Sequence, residues 1–150
     1  MPMLSLTRIA LLPLAVSLAL SGCTAFPVYQ PAANEPTVPL KVSGWGIITF
    51  KYCVIESDKS RQQLSIDDKT LTTSVPAGKP IMLNAYRASS GYQVVHYCNA
   101  RLNFTPKAGN TYVLNSGMVG EGKCFVELVR EDLSTDTGLV PEPSVEPGSC

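Results

Sequence analysis

The chain has one histidine, one tryptophan, no net charge and no apolar run long enough to cross a bilayer. Each shortage excludes something. A zinc site needs three or four ligands, and beside His96 there is no second histidine and no Cys-x-x-Cys pair. His96 and Cys98, two apart on a strand, share a face, yet they read as a partly buried histidine beside a disulfide cysteine. No metal site is expected. Gly-x-Ser-x-Gly, Ser-x-x-Lys and His-Glu-x-x-His are all missing. Gly78-Lys79 resembles the end of a phosphate loop, but Pro80 stands where Ser or Thr is required, so a turn is expected there. Asp67 and Asp68 are adjacent carboxylates that point apart on a strand or turn, which suits a hairpin and not acid–base work. These absences leave no catalytic residue and no cofactor. Twelve Lys and Arg balance twelve Asp and Glu, and no basic cluster alternates with aromatics, so nucleic acid is not an expected partner.

What is present begins at the amino terminus. Arg8 gives a positive start, and Ile9 to Leu20 forms a twelve-residue apolar stretch interrupted by Pro13. That is short of the roughly 20 residues a spanning helix needs. Leu20-Ser21-Gly22-Cys23 follows. An apolar residue, two small residues and a cysteine resemble the lipobox of bacterial lipoproteins. The resemblance implies a signal peptide over 1–22 and a diacylglycerol on the Cys23 thiol, with a further acyl chain on the new amino terminus after cleavage. Several chains anchor stably where one does not. Thr24, in place of the aspartate that favours inner-membrane retention in this family, implies an outer-membrane anchor facing the periplasm.

Removing residues 1 to 22 leaves 128 residues, enough for one domain. Residues 23–40 hold four prolines and read as a lipidated tether. Residues 131–150 hold five acids, no bases and three prolines, and read as a flexible acidic tail. Between them, 41–130 carries eleven bases against six acids, a modest argument for an anionic partner.

The 41–130 segment alternates with the period of a strand. Val94, His96, Cys98, Ala100, Leu102 and Phe104 share one face, with mostly polar residues on the other. Cys124, Val126 and Leu128 form a similar face, as do Ile48, Phe50, Tyr52 and Val54. Leu64 to Ile66, Leu71 to Val75, Ile81 to Tyr86 and Thr111 to Leu114 are shorter candidates, separated by Gly, Pro and Asp turn signals. About seven short strands at this spacing predict an all-β fold, a small β-sandwich.

With Cys23 assigned to lipid, Cys53, Cys98, Cys124 and Cys150 remain, an even number in an oxidising compartment. Cys98–Cys124 is the favoured pair, because both lie on predicted inner faces. Closing that loop contributes roughly 3 to 4 kcal/mol in the chain-entropy model. Cys53–Cys150 is the consequent second pair; a free or intermolecular Cys150 stays open. Trp45, between two glycines, caps the core or anchors an interface, with the core reading preferred.

Leu64-Ser65-Ile66-Asp67-Asp68-Lys69, followed by Val75-Pro76-Ala77-Gly78-Lys79-Pro80-Ile81-Met82-Leu83, is similar to PEGA-type surface modules of bacterial lipoproteins. Asp68 stands where their turn glycine is expected. Ala108-Gly109-Asn110-Thr111-Tyr112-Val113 resembles a later Ala-Gly-Lys-x-Tyr element of related envelope lipoproteins. The resemblance implies a β-sandwich at the cell envelope without catalytic residues. Two functions are in view. One is an envelope module that engages another envelope protein or peptidoglycan. The other is an inhibitor of a lysozyme-like hydrolase, whose relatives present a Ser-Gly-x-x-Tyr loop; here Ser90-Gly91 is followed at once by Tyr92, the second candidate interaction residue beside Trp45.

Overall fold

The structure, a computed structural model, describes residues 26–44, 46–53, 61–120 and 122–148. The signal segment 1–22, Cys23, Trp45 and Cys150 lie outside the described residues. Ten strands form in chain order: β1 Thr37–Ser43, β2 Ile47–Tyr52, β3 Gln62–Gln63, β4 Thr72–Pro76, β5 Ile81–Ser90, β6 Val95–Phe104, β7 Tyr112–Met118, β8 Cys124–Glu131, β9 Leu139–Pro141 and β10 Glu146–Pro147. They make two five-stranded sheets, one ordered β4-β1-β7-β8-β9 and the other β10-β6-β5-β2-β3. No helix occurs among the described residues, as the alternation predicted.

The core lies between the two sheets. Val38, Leu40, Val42, Val75, Tyr112, Leu114 and Leu128 face inward from the first sheet; Ile48, Phe50, Ile81, Leu83, Leu102 and Phe104 face them from the second. Strand alternation puts them there: on β6, Cys98, Ala100, Leu102 and Phe104 are buried while Tyr97, Asn99 and Arg101 are exposed. The ring of Phe104 meets that of Tyr112 edge-on at 5.2 Å across the interior, a geometry that aromatic pairs favour.

Both ends of the domain differ from expectation. The expected tether does not stop short of the sandwich. Val28 bridges Gln63, Tyr29 is buried with its ring edge-on to Phe50 at 4.9 Å, and β1 starts at Thr37. Pro36 and Pro39 disguised this strand in the sequence. At Pro39, however, β1 is paired only with β4, because its pairing with β7 starts at Leu40, so proline's missing N–H is tolerated there. The expected flexible tail also joins the sheets. β9 extends β8, and β10 pairs with β6 through Glu146↔Asn103 and Pro147↔Leu102. These are edge strands of two or three residues, too short to show a period and open to proline on the unpaired side. Glu142 between them is buried and accepts bonds from the Ser144 amide at 3.1 Å and hydroxyl at 2.7 Å. The expected strand at Leu64 to Ile66 is instead a connection, with Leu64 buried and its amide bonded to the Ile48 carbonyl at 2.9 Å.

Candidate functional site

β5 and β6 run together for ten pairs, from Ile81↔Phe104 to Ser90↔Val95. β2 accompanies β5 only as far as Tyr86, and β10 covers only Leu102 and Asn103 of β6. The last stretch, Arg87 to Ser90 against Val95 to Cys98, therefore projects as a two-stranded ribbon. An isolated hairpin is marginal in water, so a projecting one needs bracing. Two braces are present at one level of the ladder, since Arg87 and Cys98 are cross-strand partners.

The first brace is the Cys98–Cys124 disulfide, which links β6 of one sheet to β8 of the other as the inner-face positions predicted. The second is Arg87, only 3% exposed, whose guanidinium crosses the interior to donate to the Ser116 carbonyl at 2.6 Å and hydroxyl at 3.1 Å. Burial pulls its pKa down, against which the charge-assisted bonds to Ser116 hold the cation in place. Gly44 makes room for it: a Cβ there would collide with both the guanidinium and the Ser116 carbonyl, and its φ of +102° favours glycine.

Beyond the braces, apolar side chains stand in solvent. Tyr92 at the ribbon tip is 91% exposed and Tyr97 is 60% exposed, with Val94 and Val95 about half exposed beside them. The tip closes through the Gly91 amide and Val94 carbonyl at 2.7 Å, with Gln93 at a φ of +61°. The β7–β8 hairpin, joined to the ribbon's base through the Cys98–Cys124 disulfide, exposes Val119 and Phe125. Phe125 lies across its cross-strand partner Gly117, which has no side chain to lift the ring. Sequence reasoning singled out Tyr92 and missed Tyr97, Val119 and Phe125. Their signal was there: Val95, Tyr97 and Phe125 are apolar residues on the solvent side of an alternating strand, next to a turn.

The other expected residues land as follows. Cys53 is disulfide-bonded; Cys150, its expected partner, lies outside the described residues. Cys98 is in a disulfide, so the His96–Cys98 pair offers no thiolate, and no metal-ligating cluster occurs among the described residues. Asp67 closes a turn by accepting from the amides of Lys69 at 3.0 Å and Thr70 at 2.7 Å; the Thr70 amide chiefly lowers its pKa.

At the opposite end a carboxylate clasp fastens the incoming chain. Glu35 accepts from the Tyr29 hydroxyl at 3.0 Å and the Tyr52 hydroxyl at 2.5 Å, and Lys79 stands over the Tyr52 ring at 5.3 Å. The Tyr52 bond holds the Glu35 carboxyl below its ordinary range, while burial first, and the hydrogen bond to Glu35 next, push both phenols up.

No protein-family model, curated protein or solved structure matches this chain.

Proposed function

We propose that the protein is a non-catalytic, lipid-anchored interaction module of the outer membrane. Its braced hairpin end faces the periplasm and holds another envelope protein. The observation that carries this reading is the exposure of Tyr92 and Tyr97 on a ribbon fixed to the opposite sheet by a disulfide and a buried arginine. Exposed apolar groups on a rigid support are what a specific interface needs, since little ordering entropy is lost on binding. Tyrosine is favoured at such positions because it offers a large contact area with few rotors.

Chain direction supports the same reading. Val28 pairs in parallel with β3, β3 is antiparallel to β2, and β2 is antiparallel to β5. The chain at Phe26 to Val28 therefore runs the same way as β5, toward the ribbon tip, and arrives from the opposite end. An anchor at Cys23 would leave the tip pointing away from the bilayer. Bound lipid on Cys23 is the only attached group in this reading, with no metal, cofactor or nucleic acid.

A second reading, inhibition of a lysozyme-like hydrolase, is favoured by one observation: Ser90-Gly91-Tyr92 tops a projecting ribbon, a shape that can enter a cleft. Photocrosslinking separates the two. A photoreactive residue at position 92 in intact cells should recover one reproducible envelope partner, and Tyr97→Ala together with Phe125→Ala should abolish its recovery. Recovery of no partner, or of a hydrolase whose activity the purified protein suppresses, would overturn the first reading.

A further inference from the structure

The outer face of the second sheet carries a groove of about 440 Å³, which meets the hairpin end at the Tyr86–Tyr97 stack. It runs across the strands, from Asn99 on β6 over Asn84 on β5 and Thr49 on β2 to Gln63 on β3. Four strands at ~4.8 Å spacing make it about 14 Å across. Phe26 and Tyr86 stand along it, each with one ring face engaged, by the Arg61 guanidinium at 5.5 Å and by the stacked Tyr97 ring at 6.1 Å. At its base Asn84, 3% exposed, donates to the Thr49 hydroxyl at 3.4 Å, and its amide oxygen has no partner. Turning that amide over leaves its other end in the same position, so one polar atom stays unmatched either way.

The lining selects among ligand classes. A groove floored by strand faces offers no backbone ladder, so an extended peptide gains no main-chain bonds there. Arg61 is the one charged group among the described lining residues, and its guanidinium already lies over Phe26, which disfavours an anionic polymer. What remains is a row of neutral amides and a hydroxyl between aromatic and aliphatic walls. Side-chain amides are both donors and acceptors, and so match sugar hydroxyls and acetamido groups alike. Ring faces suit the C–H face of a pyranose, and Ile47 offers an apolar surface to an acetamido methyl. We infer that this groove binds a glycan of N-acetylated amino sugars, with Tyr86 as platform and Asn84 and Asn99 as amide partners. The inference stands on the groove's own lining, which shares with the hairpin end only the Tyr86–Tyr97 stack.

Isothermal titration of the full-length chain with a tetramer of N-acetylglucosamine tests it, beside a glucose tetramer of the same linkage. Saturable binding is expected for the first, weaker by about tenfold or more for the second. Asn99→Ala, on an exposed position that tolerates truncation, and Tyr86→Ala should each weaken binding by about tenfold. The side-chain amide resonances of Asn84 and Asn99 in the unaltered protein should shift during the titration, a readout that needs no variant. Absence of binding at millimolar sugar, equal binding of the two tetramers, or unmoved Asn84 and Asn99 resonances would each overturn the inference.

Discussion

Single residues decide how both ends of this sandwich are held. Glu35 lowers its proton affinity by accepting from two phenols, so its contribution to folding follows linkage. The folded pKa lies below the ordinary value of 4.5, so the stabilisation is complete above that pH and fades as pH falls through the folded value. Asp67 and Asp132 are lowered as well, by their turn hydrogen bonds, and act in the same direction. Urea midpoints measured at pH 7 and pH 4 should therefore drop for the native chain and drop less for Glu35→Gln; equal drops would discard the clasp. The phenols have the opposite sign, their contribution being intact below pH 10 and lost above it. Arg87 shows how far a residue type can mislead. Ile81, Leu83, Ala85 and Arg87 continue one period-two face, so its inward direction was legible while its charge argued for solvent. The Ser116 carbonyl and hydroxyl, which no local pattern reveals, help make the inward position tolerable.

At the scale of elements, alternation was legible where a strand has one wet face and hidden where it does not. β6 and β8 announced their inner residues, and with them the Cys98–Cys124 link. β1 was hidden by its prolines, and β9 and β10 by their brevity. The projecting ribbon could not be read at all, because it arises from where β2 ends relative to β5, a matter of register between distant segments. Its bracing has a measurable signature. Cys98→Ala with Cys124→Ala should cost roughly 3 to 4 kcal/mol in stability. Amide exchange should quicken most in residues 87–90 and 95–98, where the ladder loses its support, and least in β1. A uniform rise across both sheets would show that the disulfide stabilises the whole sandwich without bracing the ribbon.

For the whole molecule, composition and turn spacing were enough to predict two packed sheets, but the limits of the domain were misplaced at both ends. Residues 26–40 and 131–148 looked too polar and proline-rich to fold alone; they are held by edges and rings that the central segment supplies. Anchoring at Cys23 is tested by Cys23→Ser, which should fold yet fail to acquire lipid or to fractionate with the outer membrane after its signal is removed; a variant that still does so would refute the anchor. The disulfide between the two hairpins carries one more consequence. Cys98 and Cys124 are 26 residues apart and on different sheets, so they meet only once the sandwich has closed, and they oxidise only outside a reducing cytoplasm. Oxidation is thus the last step in stiffening the ribbon: with Cys98 and Cys124 still reduced, Tyr92 and Tyr97 stand on a ribbon held by Arg87 alone, and more ordering entropy is lost when that end is bound.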